Sequence, residues 1–341
     1  MPEKDNAKHG NIELSVAIPT YNGARHIGAT LESIISQLDD ISAEIEIVVS
    51  DNASIDETPE IIEKYVEEYP NLFSYFRNTE NVGIDGNIDN IFRKAKGKFV
   101  WMCGDDDEII TGQLKNVLEK IENNEGMSVF FANARMYDKD MTKLLQEQVL
   151  EIDEGVYTPD QYYNYVGPTA ALMPTIIVRR ESWPSNEGIN RCAKPNWAAL
   201  YNIYFSLRSG KAYIISEPCV KYRDGSMRWH EDGKWLWMVL DLCDVLESIT
   251  NLGYSPNITK KHVNERRRLL PTTIIDAKKN GLVVSLELLR NMYSRYANYP
   301  SFWIVDLPLL LLPGQIYNSK LIRLGYRIAK KGYKKLRGQM F

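Results

Sequence analysis

Four adjacent carboxylates, Asp105, Asp106, Asp107 and Glu108, are the sharpest chemical feature of the chain, and they follow directly on the apolar run Lys98–Cys103. Like charges at that spacing repel one another. At the end of a buried strand they cost stability unless a cation compensates. Mg2+ and Mn2+ take carboxylate oxygens together with substrate phosphate oxygens. The run therefore reads as a metal held against a nucleotide diphosphate. The alternative is a solvated turn whose acids favour the N-terminus of the next helix.

Other polar clusters close other apolar runs. Asp51 and Asn52 follow Glu46–Val49. Asp51 can accept from the imide N–H of a uracil or from another base edge, or it can open an Asx turn. Pro19-Thr20-Tyr21-Asn22-Gly23 leaves the first run. Tyr21 can stack on a base and Asn22 can cap the next helix, or the segment is plain strand–turn–helix punctuation. Asn81-Val82-Gly83 is a loop signal in which Gly83 permits positive φ or a close backbone approach. Arg223 and Arg228 can neutralise phosphate, and His230 stands beside them, where an ordinary surface loop would also account for it.

These clusters need a scaffold that brings strand ends together. Leu14–Ile18, Glu46–Val49, Phe73–Arg77 and Lys98–Cys103 read as strands. Between them, Ile27 to Leu38, Thr58 to Tyr69 and Ile88 to Ala95 are apolar at helical spacing, with Thr58 as N-cap and Pro59 as first helical residue. A helix over Gln113–Asn123 and a strand over Met127–Ala132 continue the alternation. Strand–helix alternation predicts βαβ units in a mainly parallel sheet, which binds ligands at the carboxyl ends of its strands. Beyond about residue 135 the periodicity weakens. Strand-like pieces remain at Thr175–Val178 and Ala212–Ile215, with a helix over Trp197–Arg208. Lys234–Gly253, Lys260–Lys279 and Leu282–Tyr296 read as helices, so a boundary falls near Met227.

The chain has 341 residues, enough for about two domains, and 44% hydrophobic with 25% charged residues is ordinary for a globular protein. Its 41 Lys+Arg against 45 Asp+Glu give a net charge of −4, so no overall basic excess points to nucleic acid. Cys103, Cys192, Cys219 and Cys243 lack CxxC spacing and a His cluster, which speaks against zinc and for reduced thiols in the cytoplasm. The first eleven residues lack a signal-peptide core, and no apolar stretch is long enough to span a bilayer. No glycine-rich dinucleotide fingerprint and no P-loop occurs, which excludes the usual dehydrogenase and ATPase readings.

PTYN at 19–22, SDNASIDET at 50–58, NVG at 81–83 and WMCGDDDEI at 101–109 together resemble a family 2 glycosyltransferase of the GT-A fold. Within it the nearest resemblance is to the bacterial O-antigen and capsule enzymes, the abequosyltransferase-like group. The likeness covers about residues 12–135. It implies an α/β GT-A catalytic domain over 1–226 and a mostly helical region over 227–341. It implies that Pro19, Thr20, Tyr21, Asn22, Asn52, Asn81 and Gly83 line the nucleotide pocket, that Asp51 contacts the base, and that Asp105 and Arg223 meet the donor. Mn2+ or Mg2+ would be held by Asp106 first, with Asp107 and Asp105 behind it, and His230 could complete the site. Gly104 replaces the usual first acid, and Gly86 stands where an Arg often does. No acid precedes the Trp197–Arg208 helix, only Asn196, and an amide cannot take a proton. Either Glu187, Asp224 or Asp232 serves as base, or the reaction retains configuration.

The implied reaction moves a sugar from a UDP-, CDP- or GDP-sugar to a hydroxyl of a bacterial surface glycan, lipid-linked in the resembling enzymes. The rivals are a degenerate, non-catalytic scaffold for polysaccharide assembly and a sugar-phosphate nucleotidyltransferase. Residues 320–341 carry eight cations and no acid beside the apolar Phe302–Leu312, which suits the inner face of a bacterial membrane, or else that segment packs inward and the cations are solvated.

Overall fold

The structure is a computed structural model that describes residues 12–184, 194–224 and 233–318. The chain divides into two units, Met1–Ser226 with Asn251–Ser255 and Met227–Thr250 with Pro256–Phe341.

The first unit is built on one sheet. Its strands are β1 (Leu14–Thr20), β2 (Ile45–Asp51), β3 (Phe73–Arg77), β4 (Phe99–Met102), β5 (Glu108–Ile109), β6 (Val129–Tyr137), β7 (Leu144–Gln146), β8 (Gly155–Tyr157), β9 (Ile176–Arg179) and β10 (Ala212–Arg223). The order is β3-β2-β1-β4-β9-β6-β10-β5, with β7 on β6 and β8 on β10. All seven residues of β1 are buried, as expected for a strand flanked on both edges and covered on both faces. Helices α1 (Ile27–Ile35), α2 (Thr58–Glu68), α3 (Gly83–Lys94) and α4 (Gln113–Asn123) connect the early strands. Their buried faces carry the expected apolar residues, such as Ile27, Leu31 and Ile34 of α1.

The sheet is mixed rather than mainly parallel. β3, β2, β1 and β4 run parallel, but β9 lies antiparallel between β4 and β6. β6 and β10 then pair parallel to each other. An apolar run identifies a buried strand without fixing its direction, so the reversal at β9 is invisible to periodicity. The weakly periodic stretch also holds α5 (Pro159–Tyr165), opened by a capping box at Thr158, and α6 (Ala198–Leu207).

Register does the positioning. Ala17 of β1 pairs with Met102 of β4, and Thr20 pairs with Asp51, which pairs with Arg77 of β3. Three residues past Ala17 and Met102 stand Thr20 and Asp105. The polar ends of the parallel strands are thereby brought abreast.

The second unit is helical among its described residues. It contains α7 (Lys234–Ile249), α8 (Pro256–Lys279), α9 (Leu286–Tyr296), a π-helical turn at Phe302–Asp306, and α10 (Leu307–Leu311). Its core joins Leu236 and Leu240 of α7, Leu270 and Ile274 of α8, Met292 of α9, Phe302 and Leu310. No described helix is long and apolar enough to cross a membrane.

Candidate active site

The acidic turn is tied to the first strand by one short contact. Thr20 Oγ1 donates to Asp105 Oδ2 at 2.5 Å. Gly23 makes that approach possible, because a Cβ there would lie 2.3 Å from Asp105 Oδ2 and 2.5 Å from Thr20 Oγ1. Burial, and then the charge of Asp106, push the Asp105 carboxyl up to about 7. The same two causes, in the same order, push Asp107 well up. Asp107 Oδ1 accepts from the Arg223 amide at 2.9 Å.

Arg223 is a strut of this turn. Its Nε donates to the Asp106 carbonyl at 2.9 Å and its Nη1 to the Lys139 carbonyl at 2.8 Å. The side chain is buried, so the reading of Arg223 as a donor-phosphate cation gives way to a backbone clamp. Lys221 Nζ meets Glu108 Oε2 at 2.8 Å, which takes Glu108 out of the acidic cluster.

Among the described residues, no three His, Cys, Asp or Glu side chains converge on one point that could hold a metal ion. The predicted set Asp105, Asp106, Asp107 therefore does not form a cage of its own, since Asp105 turns to Thr20 and Asp107 to the Arg223 amide. His230, the fourth candidate, lies outside the described residues, as do Glu187 and Asp232. The chemistry of the donor set still fits Mg2+ or Mn2+. Two carboxylates with raised pKa values crowd a third, and such ions bind through one or two carboxylates plus substrate phosphates.

Asp51 ends β2 and is 0% exposed. Its Oδ1 accepts from the Ser54 amide at 2.8 Å, and its Oδ2 faces Arg77 Nε at 3.3 Å and the Tyr75 hydroxyl at 3.4 Å. It shapes loop 52–56, and a direct contact with a base would require exchanging the Tyr75 or Arg77 donor. Asn52 is likewise consumed. Its Nδ2 donates to Asn81 Oδ1 at 2.9 Å and to the Gly83 carbonyl at 3.3 Å, and its Oδ1 accepts from Asn78 Nδ2 and the Val82 amide, each at 3.0 Å. Asn52 thus pins the Asn81–Gly83 loop, where Gly83 adopts φ +76°.

Asn22 does not cap α1, whose N-cap is His26 without a side-chain bond. Asn22 takes φ 53° and turns to the neighbouring loop, accepting from the Ile55 amide at 2.8 Å while its own amide donates to Ser54 Oγ at 2.9 Å. Pro19 lies inside β1 opposite Ser50. Tyr21 is 39% exposed beside these loops, the one residue of PTYN open to a stacking partner. Asp224 is exposed just past β10, with its amide on the Tyr137 carbonyl at 2.9 Å.

Several participants escape a reading by motif. The N-cap of α2 is Glu57 rather than Thr58 and makes no side-chain bond; the loop ahead of it is tied by Asp56, which accepts from the Thr58 hydroxyl, from the Thr58 amide at 3.1 Å and from the Ala24 amide at 3.2 Å. Burial raises its pKa, but these bonds outweigh it and the net shift is downward. His26 has a lowered pKa, from burial first and then Arg223, against a raising effect of Asp106, so its imidazole belongs to the acidic turn's surroundings. Asp85, in the first turn of α3, accepts from the Asn196 amide at 2.6 Å and the Ala198 amide at 3.1 Å. Burial pushes its pKa up against those bonds. The start of α6, where the sequence offers only Asn196, receives its acid from a segment 111 residues away. Only the position of Asp85 two residues after Gly83 hinted at it.

The family model described as Glycosyl transferase family 2 matches residues 15–182. The chain is 24% identical to abequosyltransferase RfbV of Salmonella typhimurium, over 74% of this chain and 78% of that protein. It is 29% identical to GalNAc(5)-diNAcBac-PP-undecaprenol beta-1,3-glucosyltransferase of Campylobacter jejuni, over 43% of this chain and 47% of that protein. The crystal structure of S. aureus TarS 1–349 in complex with UDP superposes with a TM-score of 0.56 at 17% identity, over 87% of this chain and 89% of that one. At that identity the likeness is one of fold.

Proposed function

We propose that this chain, which matches the family 2 glycosyltransferase model over residues 15–182 and has the GT-A fold, transfers a sugar from a nucleoside-diphosphate sugar to a hydroxyl of a lipid-linked bacterial surface glycan. The observation that carries the donor half is the register of β1, β2 and β4, which sets Tyr21, the Asp51 loop and the Asp105–Asp107 turn side by side. The acceptor half is supported by the names of the two relatives, one an abequosyltransferase and one acting on an undecaprenol-linked glycan. A lipid-linked acceptor puts the enzyme at the cytoplasmic face of the bacterial membrane.

Asp106 and Asp107 would hold Mg2+ or Mn2+, which supplies electrostatic stabilisation to the departing diphosphate. The chain's own residues do the rest. Tyr21 offers a face to the base. The Asp51, Asn52 and Asn22 bonds fix the loops around it before any ligand arrives, so little ordering remains to be done on binding. Thr20, Gly23 and Arg223 hold the acidic turn against the repulsion of its own carboxylates. Asp224, Asp85 and Glu187 are the acids from which a base for the acceptor hydroxyl is to be chosen.

Donor hydrolysis and transfer with UDP-, CDP- and GDP-sugars, with and without Mn2+, test this reading. Asp106→Ala is expected to lower metal-dependent turnover by about a hundredfold or more while leaving the fold intact. Unchanged turnover removes Asp106 from the reaction, and donor binding without turnover in the unaltered chain favours a scaffold.

A further inference from the structure

A set of contacts closes into a ring around the acidic turn. Gly23 lies against Asp105. Arg223 joins the Asp106 carbonyl to the Lys139 carbonyl, which belongs to the hairpin turn between β6 and β7. Asp140, the next residue of that turn, faces Arg25 Nη2 at 3.7 Å. Arg25 stands two residues past Gly23, and the ring is complete. The neighbouring His26 imidazole feels its charges. Burial first, and then Arg223, Asp106, Arg25 and Asp140, act on that group, whose pKa is lowered on balance.

The hairpin turn is built before any ligand arrives. Asp138 Oδ1 accepts from the Thr142 amide at 2.9 Å and from the Lys143 amide at 3.1 Å. The Met141 amide donates to the Asp138 carbonyl at 2.9 Å, and Met141 takes φ 56°. A backbone fixed in this way holds Asp140 opposite Arg25 with little ordering left to do.

The two guanidinium groups of the ring differ in what they are free to do. Arg223 is buried and committed to two carbonyls. The Arg25 side chain is 77% exposed, and the Asp140 side chain beside it is 50% exposed. An exposed and loosely spaced pair of this kind is worth little, so Arg25 can exchange Asp140 for a stronger anion. A planar guanidinium meets a phosphate through two parallel bonds. A divalent ion on Asp106 and Asp107 is already neutralised by them, so a diphosphate drawn to it arrives with charge left over. Lys139 enters the ring through its carbonyl, whereas Arg25 enters through its cation.

We propose that Arg25 binds the diphosphate of the nucleotide-sugar donor, exchanging Asp140 for a phosphate, and that Asp140 holds the guanidinium ready until the donor arrives. This role rests on the donor reading proposed above and gives the diphosphate its cation, the task that the buried Arg223 cannot take.

Calorimetric titration of the full chain with UDP, CDP and GDP, each with Mn2+, tests it at about 0.05 M salt, where exposed charges are weakly screened. Arg25→Gln is expected to weaken binding of the nucleotide that the parent binds best about tenfold. Asp140→Asn is expected to tighten it about two- to fivefold, because the competing carboxylate is gone. The double variant is expected to bind as Arg25→Gln does, since Asp140 acts only through Arg25. All three variants are expected to keep the parent's urea midpoint, both side chains being exposed. Equal binding by Arg25→Gln and the parent overturns the proposal. So does a tightening by Asp140→Asn that survives in the double variant, which would make Asp140 a plain repulsive charge. A parent that binds none of the three nucleotides overturns the donor reading itself, and the role of Arg25 with it.

Discussion

At the scale of single residues, the acidic turn is a stored repulsion. Asp105 is raised to about 7 from an ordinary 3.8, and Asp107 is raised with it. The native state keeps protons that the unfolded chain has already released near pH 4. Stability contributed at these sites is therefore present below the unfolded pKa and is lost as pH climbs toward 7. Asp105→Asn should flatten that decline by up to about 4 kcal/mol between pH 4 and 7. Urea denaturation at pH 5 and pH 7.5 reads the difference directly. Added Mn2+ should raise the midpoint more at the higher pH, where the carboxylates it needs are ionised. A variant whose midpoint falls with pH as steeply as the parent's would show that Asp105 holds no such proton. The four acids were legible because carboxylates in a row at the end of an apolar run suit a bound cation or a helix N-terminus and little else. Asn52 was legible as a pocket residue but not as the pin of the 81–83 loop, and Asp56 and Asp85 were not singled out, because this work is done through backbone amides that no spacing rule connects.

At the scale of elements, the early strands were readable and their registry was not. β1, β2 and β4 are apolar runs closed by turn residues, and Phe73–Arg77 and Gln113–Asn123 coincide with the elements read from sequence. The pairing that sets Thr20 beside both Asp51 and Asp105 depends on how two crossover connections pack, which is a tertiary fact. The same holds for β9, whose reversed direction turns the sheet mixed. Two substitutions probe the joints between elements. Asp85→Ala removes the acceptor of two amides at the start of α6 and should cost about 1–2 kcal/mol in urea unfolding, with Asp85→Asn intermediate because its carbonyl retains one acceptor. Gly23→Ala drives a methyl between Thr20 and Asp105 and should cost about 1–3 kcal/mol. Because the displaced group is the acidic turn, donor turnover should fall further than this loss of stability accounts for. Circular dichroism beside a hydrolysis assay separates the two effects, and a Gly23→Ala chain with full turnover would show that the Thr20–Asp105 contact is dispensable.

At the scale of the whole chain, a net charge of −4 is the residue of two large and opposite sums. Residues 1–226 have a net charge of −14 and residues 227–341 a net charge of +10, from the Lys+Arg and Asp+Glu counts of each segment. A near-neutral average ordinarily suggests weak electrostatics, but here each half repels its like and attracts its opposite on other molecules. The attraction acts between solvated groups, so it extends over the Debye length, about 30 Å at 0.01 M salt and about 8 Å at 0.15 M. The chain should therefore associate reversibly at about 0.01 M salt and disperse by about 0.15 M, with light scattering falling as salt is added and recovering on dialysis. Hydrophobic association would respond in the opposite sense, since added kosmotropic salt strengthens it. The sign of the salt effect thus distinguishes self-association through opposed charge from self-association through the apolar face at Trp303–Leu311. Scattering that rises with sulfate would assign the association to that face, on which Trp303, Ile304 and Leu311 stand exposed.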